Sequence, residues 1–133
     1  MHELTLTERH YSGEIVVVAM SGELDIATAA ELDDYLIRLA ATGHHRLVLD
    51  MARLTFCDAS GIRVLVRARE RAARQRGWLR LAEVDPQLRR ILAILALTTT
   101  LSLYDNVSRA VHGIDAPDRI GLRSMPVADL LPA

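Results

Sequence analysis

A six-residue apolar run, Ile15-Val16-Val17-Val18-Ala19-Met20, sets the strongest limit on what this chain can become. The run is continuous, not alternating, and rich in β-branched residues. That is the pattern of a strand buried on both faces. Such a strand needs cover above and below, which a sheet layered with helices provides. The rest of the chain supplies that cover. Leu32, Leu36, Leu39 and Ala40 fall at helical spacing, with Glu31, Asp33, Asp34 and Arg38 on the opposite face. Thr28-Ala29-Ala30-Glu31 reads as a capping box that starts this helix, and Gly43 can end it. Leu47-Val48-Leu49 is a further short buried strand. Ile62, Leu65, Val66, Ala72 and Ala73 predict a second helix closing near Gly77, and Trp78 to Leu81 a fourth strand. Asp85-Pro86 is an N-cap with proline at the first helical position, and Leu88, Ile91, Leu92 and Leu95 form the third helix's buried stripe. Leu101 to Tyr104 predicts a fifth strand. Asp105 or Asn106 caps a short last helix ending at Gly113.

Upstream of the run, Leu4-Thr5-Leu6-Thr7 alternates as a half-exposed strand does, and Tyr11-Ser12-Gly13 marks a turn. The first two strands therefore form an antiparallel hairpin. Strands alternating with helices thereafter imply parallel pairing through right-handed crossovers. The expected class is α/β: a mixed five-stranded sheet, mostly parallel, with an antiparallel N-terminal edge hairpin and about four helices. Residues 1–113 form the domain. Residues 114–133, with three prolines and little periodicity, read as a C-terminal tail docked in part through Val127, Leu130 and Leu131.

Composition excludes several functions. A chain of 133 residues, 50% hydrophobic and 25% charged, has a real core and is not disordered. Sixteen basic residues against 17 acidic, with five aromatics, argue against a general nucleic-acid or membrane-surface binder. No stretch is long and apolar enough to span a membrane, the N-terminus lacks a signal-peptide pattern, and Cys57 has no second cysteine to pair with. A cytoplasmic protein without a metal or cofactor is expected.

Open α/β sheets bind ligands beyond the carboxyl ends of their strands. Two segments there carry suggestive residues: Gly22-Glu23-Leu24-Asp25 after the second strand, and Phe56-Cys57-Asp58-Ala59-Ser60-Gly61 between the third strand and second helix. Ser60 lies at the start of the second helix, close to its N-cap. A phosphate there would add about −1.5 to −2 charges beside Asp58 and Asp25. From position alone, the commoner use of such a serine is as a helix cap and nothing more.

These segments carry a family resemblance. Gly22-Glu23-Leu24-Asp25, the Leu47-Val48-Leu49-Asp50 strand and above all Asp58-Ala59-Ser60-Gly61 entering an apolar helix resemble the STAS-domain family, specifically bacterial anti-anti-sigma factors (anti-sigma factor antagonists). The resemblance covers about residues 4 to 112 and implies a STAS-like fold. It implies that Ser60 is phosphorylated by a partner anti-sigma factor with a serine-kinase fold. The unphosphorylated form would bind that kinase and free a sigma factor; the phosphorylated form would let go, and a phosphatase would restore it. Asp25 and Asp58 match acidic positions beside the family's phosphosite and should shape the docking surface with Ala59, Gly61, Ile62 and Arg63. Gly61 should let the partner approach the backbone closely. The kinase supplies the chemistry, so the chain itself is not an enzyme. Two departures stand out: Ala59 occupies a position often hydroxylated in relatives, and Leu95 to Leu101 is shorter than usual and lacks a glycine. The alternative is a STAS interaction or scaffold module that is never phosphorylated, or a small-ligand sensor.

Three further features admit plain readings. Arg63, Arg67, Arg71 and Arg74 share one face of the second helix, either to dock an acidic partner or simply as a solvated face. Cys57 beside Asp58 suits a half-buried packing role better than a reactive thiol. His44 and His45 are adjacent on extended chain, point apart, and suit turn or surface roles better than shared chelation.

Overall fold

The computed structural model describes residues 3–114. The elements run β1 (Leu4–Tyr11), β2 (Ile15–Leu24), α1 (Ile26–Ala41), β3 (Arg46–Cys57), α2 (Ala59–Arg74), β4 (Trp78–Ala82), α3 (Pro86–Ile94), β5 (Ser102–Tyr104) and α4 (Val107–His112). The expected tail, with Val127, Leu130 and Leu131, lies outside the described residues.

The sheet order is β1-β2-β3-β4-β5, with β1 antiparallel to β2 and the remaining pairs parallel. Each crossover therefore steps one strand in the same direction. Right-handed crossovers that all step one way must place their helices on one face. The main core shows this: Val16, Val18, Met20, Leu47, Leu49, Leu79 and Leu81 from the sheet pack with Leu32, Leu36, Leu65, Leu88 and Leu92 from α1, α2 and α3. The short α4 covers the other face, where Ile15, Val17, Val48, Ala82 and Tyr104 meet Ala110. The apolar run of β2 is thus buried on both sides, as its composition requires. Arg80 belongs to the second face. Its guanidinium lies 3.6 Å over the Trp78 ring and donates to the Ala110 carbonyl at 2.8 Å, holding α4 to the sheet.

Edge strand β1 is clasped from the side. Tyr35 of α1 donates a hydrogen bond to Glu8, and His10 bonds the other Glu8 oxygen at 2.8 Å. These bonds hold the Glu8 carboxyl below its usual range.

Several boundaries depart from the sequence reading. β2 continues to Leu24 and β3 to Cys57, because pairing runs on past the apolar stretch through two register shifts, at Ala19/Ser21 and Gly22/Glu23. Gly22 (φ 121°) allows the second shift, since a Cβ there would lie 2.2 Å from the Glu3 carbonyl oxygen. β5 begins at Ser102, one residue later than expected. Ala73 is exposed, and the buried face of α2 instead uses Val64, Leu65, Ala68 and Ala72. Leu95 is 52% exposed: α3 ends at Ile94, so the helical period that would bury Leu95 has already stopped.

Candidate functional site

The carboxyl end of the parallel sheet is an edge of four helix starts, each on an Asx residue. Asp25 caps α1, Asp58 caps α2, Asp85 caps α3 and Asn106 caps α4. A helix start leaves backbone N–H groups without partners, and a short side-chain oxygen satisfies them. The sequence reading placed the α1 cap three residues late, at Thr28. Thr28 is instead the third helical residue: Asp25 Oδ1 accepts its N–H at 3.0 Å, and Thr28 Oγ1 accepts the Asp25 N–H at 2.9 Å. The hydroxyl also donates to the Glu23 carbonyl at 2.7 Å, and the residue is buried. The box is real, but its partners are Asp25 and Thr28.

Asp25 and Asp58 stand on neighbouring strand ends. Leu24 and Cys57 are register partners, and the Asp58 N–H donates to the Leu24 carbonyl at 3.1 Å. Asp58 Oδ1 then accepts the N–H groups of Ser60, at 2.9 Å, and Gly61, at 3.3 Å. This settles one alternative for Ser60. The cap is Asp58, and Ser60 is the second helical residue. Its hydroxyl makes no hydrogen bond among the described residues, and the side chain is half-buried at the rim of the domain.

The other expected site residues divide by direction. Ala59 and Arg63 are exposed. Ile62 is 6% exposed, so an incoming group can meet it only at the bottom of a depression. Gly61 corrects the expectation of a close partner approach: it is buried and faces inward. A Cβ on it would lie 2.6 Å from Leu24 Cγ and 2.9 Å from Cys57 Sγ. The glycine lets α2 seat against the ends of β2 and β3, and the partners that come close are the chain's own.

Cys57 is half-buried under this contact. Burial pushes its thiol up to about 12, with Asp58 and Asp85 adding to the effect. A thiol so protonated is a packing group and not a nucleophile. Of the arginine face, Arg67 reaches Asp33 of α1 at 3.4 Å and Arg71 reaches it at 3.7 Å. Those two arginines tie α2 to α1. His44 bonds Thr42 Oγ1 at 3.0 Å and lies edge-on to His10, with ring centroids 5.4 Å apart.

One feature of the site was not legible as such. An open groove of about 560 Å³ runs beside the start of α2, lined by Ala59, Ile62, Arg63, Val66 and Arg67 together with Leu95 and Leu97 beyond α3. The spacing of the α2 residues was available in the sequence. Leu95 and Leu97 were not, because their exposure depends on where α3 stops.

Sheet order, helix placement and an Asp-Ala-Ser-Gly start to α2 define a class, and comparison with known proteins names it. The STAS domain family matches residues 8–110, and the chain belongs to that family. It is 27% identical over 116 residues to the anti-sigma F factor antagonist of Paenibacillus polymyxa, covering 84% of this chain and 96% of that one. The crystal structure of an anti-sigma factor antagonist from Mycobacterium paratuberculosis superposes with a TM-score of 0.75 at 25% identity, over 84% of this chain and 93% of the other. The Bacillus cell fate determinant SpoIIAA in its phosphorylated form shares the fold, with a TM-score of 0.66 at 18% identity over 83% and 99% of the two chains. No helix among the described residues is long and apolar enough to cross a membrane.

Proposed function

We propose that this chain is an anti-sigma factor antagonist that switches partners through phosphorylation of Ser60. The observation that carries the reading is the division of labour between Asp58 and Ser60: Asp58 caps α2, which leaves the Ser60 hydroxyl without a structural bond among the described residues. The anti-sigma factor antagonists of P. polymyxa and M. paratuberculosis support the function, and the phosphorylated form of SpoIIAA supports the chemistry. In this reading a serine-kinase anti-sigma factor docks on the edge formed by Asp25, Asp58, Ala59, Ile62 and Arg63 and gives up a sigma factor. It then transfers phosphate from ATP to Ser60 and is released. A phosphatase resets the switch, in the cytoplasm, and this chain supplies no catalytic group of its own.

The capped geometry sharpens the electrostatics. Two amides at the start of α2 already serve Asp58. A phosphate on Ser60 meets a carboxylate where a bare helix start would offer free donors. The added charge of about −1.5 to −2 therefore acts mainly outward, on whatever is docked. The small-ligand alternative draws less support from the fold. All crossovers step the same way along the sheet, so the parallel part has no strand-order reversal to open a ligand crevice.

The test is a pull-down from the source organism with wild type, Ser60→Ala and Ser60→Asp, followed by incubation of the captured partner with ATP. Wild type and Ser60→Ala should retain a kinase-fold protein, and Ser60→Asp should hold it at least about tenfold more weakly. Phosphate should appear on Ser60 in wild type alone. Equal retention by wild type and Ser60→Asp, with no phosphate on Ser60, would reject the switch and leave a scaffold.

A further inference from the structure

The capped helix start leaves few groups that could pair with a phosphate on Ser60. The amides of Ser60 and Gly61 are engaged by Asp58. Arg67 and Arg71 are held toward Asp33 on α1. Arg63 differs from both: it is exposed and makes no ion pair or hydrogen bond among the described residues. It follows Ser60 by three positions, so the two side chains are neighbours on the helix surface. Side chains on a helix lean toward its N-terminus, which carries the Arg63 head back over the turn containing Ala59 and Ser60.

Arg63 also stands on the rim of the groove between α2 and the end of α3. The groove has an apolar floor of Ile62, Val66, Leu95 and Leu97, two arginines on its wall and no acidic residue in its lining. Ile94, which precedes Leu95 in the chain, is 75% exposed. Charge complementarity selects the occupant: an apolar side chain on a partner segment that also carries a carboxylate within about one helical turn.

We propose that Arg63 is the cation for which the docked partner's carboxylate and a phosphate on Ser60 compete, with the partner's apolar residue seated in the groove between α2 and α3. This deepens the switch reading and rests on Ser60 being its phosphoacceptor. Before phosphorylation, Arg63 pairs with the partner. Afterwards the nearer dianion captures it, and the partner's carboxylate is left beside both the phosphate and Asp58. Release then has two components, loss of an attraction and gain of a repulsion.

Two measurements on the full chain test this, and the first needs no partner. With phosphoserine installed at position 60 during translation, phosphorus NMR reads the second ionisation of the phosphate. Arg63→Gln should raise that value by about 0.3 pH unit or more, and Arg71→Gln should leave it unchanged. Equal values for wild type and Arg63→Gln would overturn the pairing. In the second, benzoylphenylalanine replaces Leu95 in cells of the source organism, and the photo-adduct is mapped by mass. The expected adduct lies on a partner segment with Asp or Glu within one helical turn of the linked residue. Its yield should fall about tenfold or more with Arg63→Glu or with phosphoserine at 60, and survive Arg63→Lys. An adduct to a second copy, to residues 115–133, to a partner indifferent to Arg63→Glu, or no adduct at all would overturn the proposal. A kinase captured by wild type and lost by Ser60→Asp, yet indifferent to Arg63→Glu, would sink this inference and leave the switch standing.

Discussion

The two ends of the parallel sheet are built by different means. At the carboxyl end, helices start, and their geometry is set by side-chain oxygens: Asp25, Asp58, Asp85 and Asn106. At the amino end, helices α1 and α2 stop, and their geometry is set by backbone against backbone. After α1 the His44 N–H returns to the Leu39 carbonyl at 3.0 Å, with Gly43 at φ 89°. After α2 the Gly77 N–H returns to the Ala72 carbonyl at 2.8 Å, with Arg76 at φ 62°. Both are the crossed bond pattern that closes a helix through a left-handed residue. A cap made by a side chain can be altered one atom at a time. A turn made by the backbone has no such freedom. The end that carries Ser60 is the adjustable one, and the opposite end is the anchor.

One methyl group placed at each end should affect the two ends very differently. Gly77 lies in the β4 entry, where a Cβ would come 1.8 Å from the His45 carbonyl oxygen. That oxygen is fixed by the Trp78 N–H at 2.8 Å, so neither partner can yield without opening the β3–β4 ladder. Gly77→Ala should destabilise by about 3 kcal/mol or more in urea unfolding. Gly61→Ala makes the corresponding test at the site end. Its Cβ meets side chains, Leu24 and Cys57, and not backbone. Leu24 is fully buried and cannot swing clear, so a cost of about 1–3 kcal/mol is expected. Leu24→Ala in the same chain should relieve part of it, giving a double-mutant cost below the sum of the singles. No such relief is available for Gly77, and a cost for Gly77→Ala no larger than that for Gly61→Ala would erase the contrast.

Much of this was legible from residue order. The strand and helix succession, the antiparallel hairpin and the cap at Asp85 follow from periodicity and from the chemistry of short polar side chains; the last cap was narrowed to Asp105 or Asn106, and the structure selects Asn106. The lengths of β2 and β3 were not read: Ser21 to Glu23 carries no apolar signature, and Arg53 to Phe56, although Leu54 and Phe56 alternate with polar residues, pairs with that polar stretch only across two register shifts. The α1 cap was misplaced for a related reason. Asp25-x-x-Thr28 and Thr28-x-x-Glu31 both have capping spacing, and only the end of β2 decides between them. At the site, Ser60 and its acidic neighbours could be found from the motif. The inward face of Gly61 could not, since it depends on Leu24 and Cys57 arriving from two strands.

Asp58 offers a gentler cut at the adjustable end. Asp58→Ala removes the acceptor for the Ser60 and Gly61 amides and should cost about 1 kcal/mol. Asp58→Asn keeps an acceptor oxygen, so it should recover most of that stability while lowering the negative charge beside Ser60. Thermal unfolding reads the first effect and partner affinity the second. Asn failing to recover stability would mean that charge and not capping sets the start of α2. Cys57 gives the same end a pH dependence. Its thiol is pushed up to about 12 in the fold, against about 8.5 in an unfolded chain. The unfolded state gives up its proton first, so stability is full below pH 8.5 and falls as pH rises towards the folded value. The loss should be about 1 kcal/mol between pH 8.5 and 9.5, and Cys57→Ala should abolish it.

The smallest effect tests whether α3 belongs with the anchor or with the site. α3 ends by the same backbone pattern as α1 and α2: the Leu97 N–H returns to the Leu92 carbonyl at 2.8 Å and the Ala96 N–H to the Ala93 carbonyl at 3.0 Å. The left-handed position, φ 59°, falls on Ala96. This is where the missing glycine of the Leu95 to Leu101 segment makes itself felt, because a Cβ is strained in that conformation. Ala96→Gly should relieve the strain and stabilise the fold by about 0.5–1 kcal/mol, as measured by urea unfolding. The same turn presents Leu95 and Leu97 to the groove beside Ser60. If the turn is anchor alone, Ala96→Gly raises stability and leaves partner affinity unchanged. If its rigidity helps to hold the groove open, glycine raises stability while weakening the partner, and the anchor then reaches into the adjustable end through this one residue.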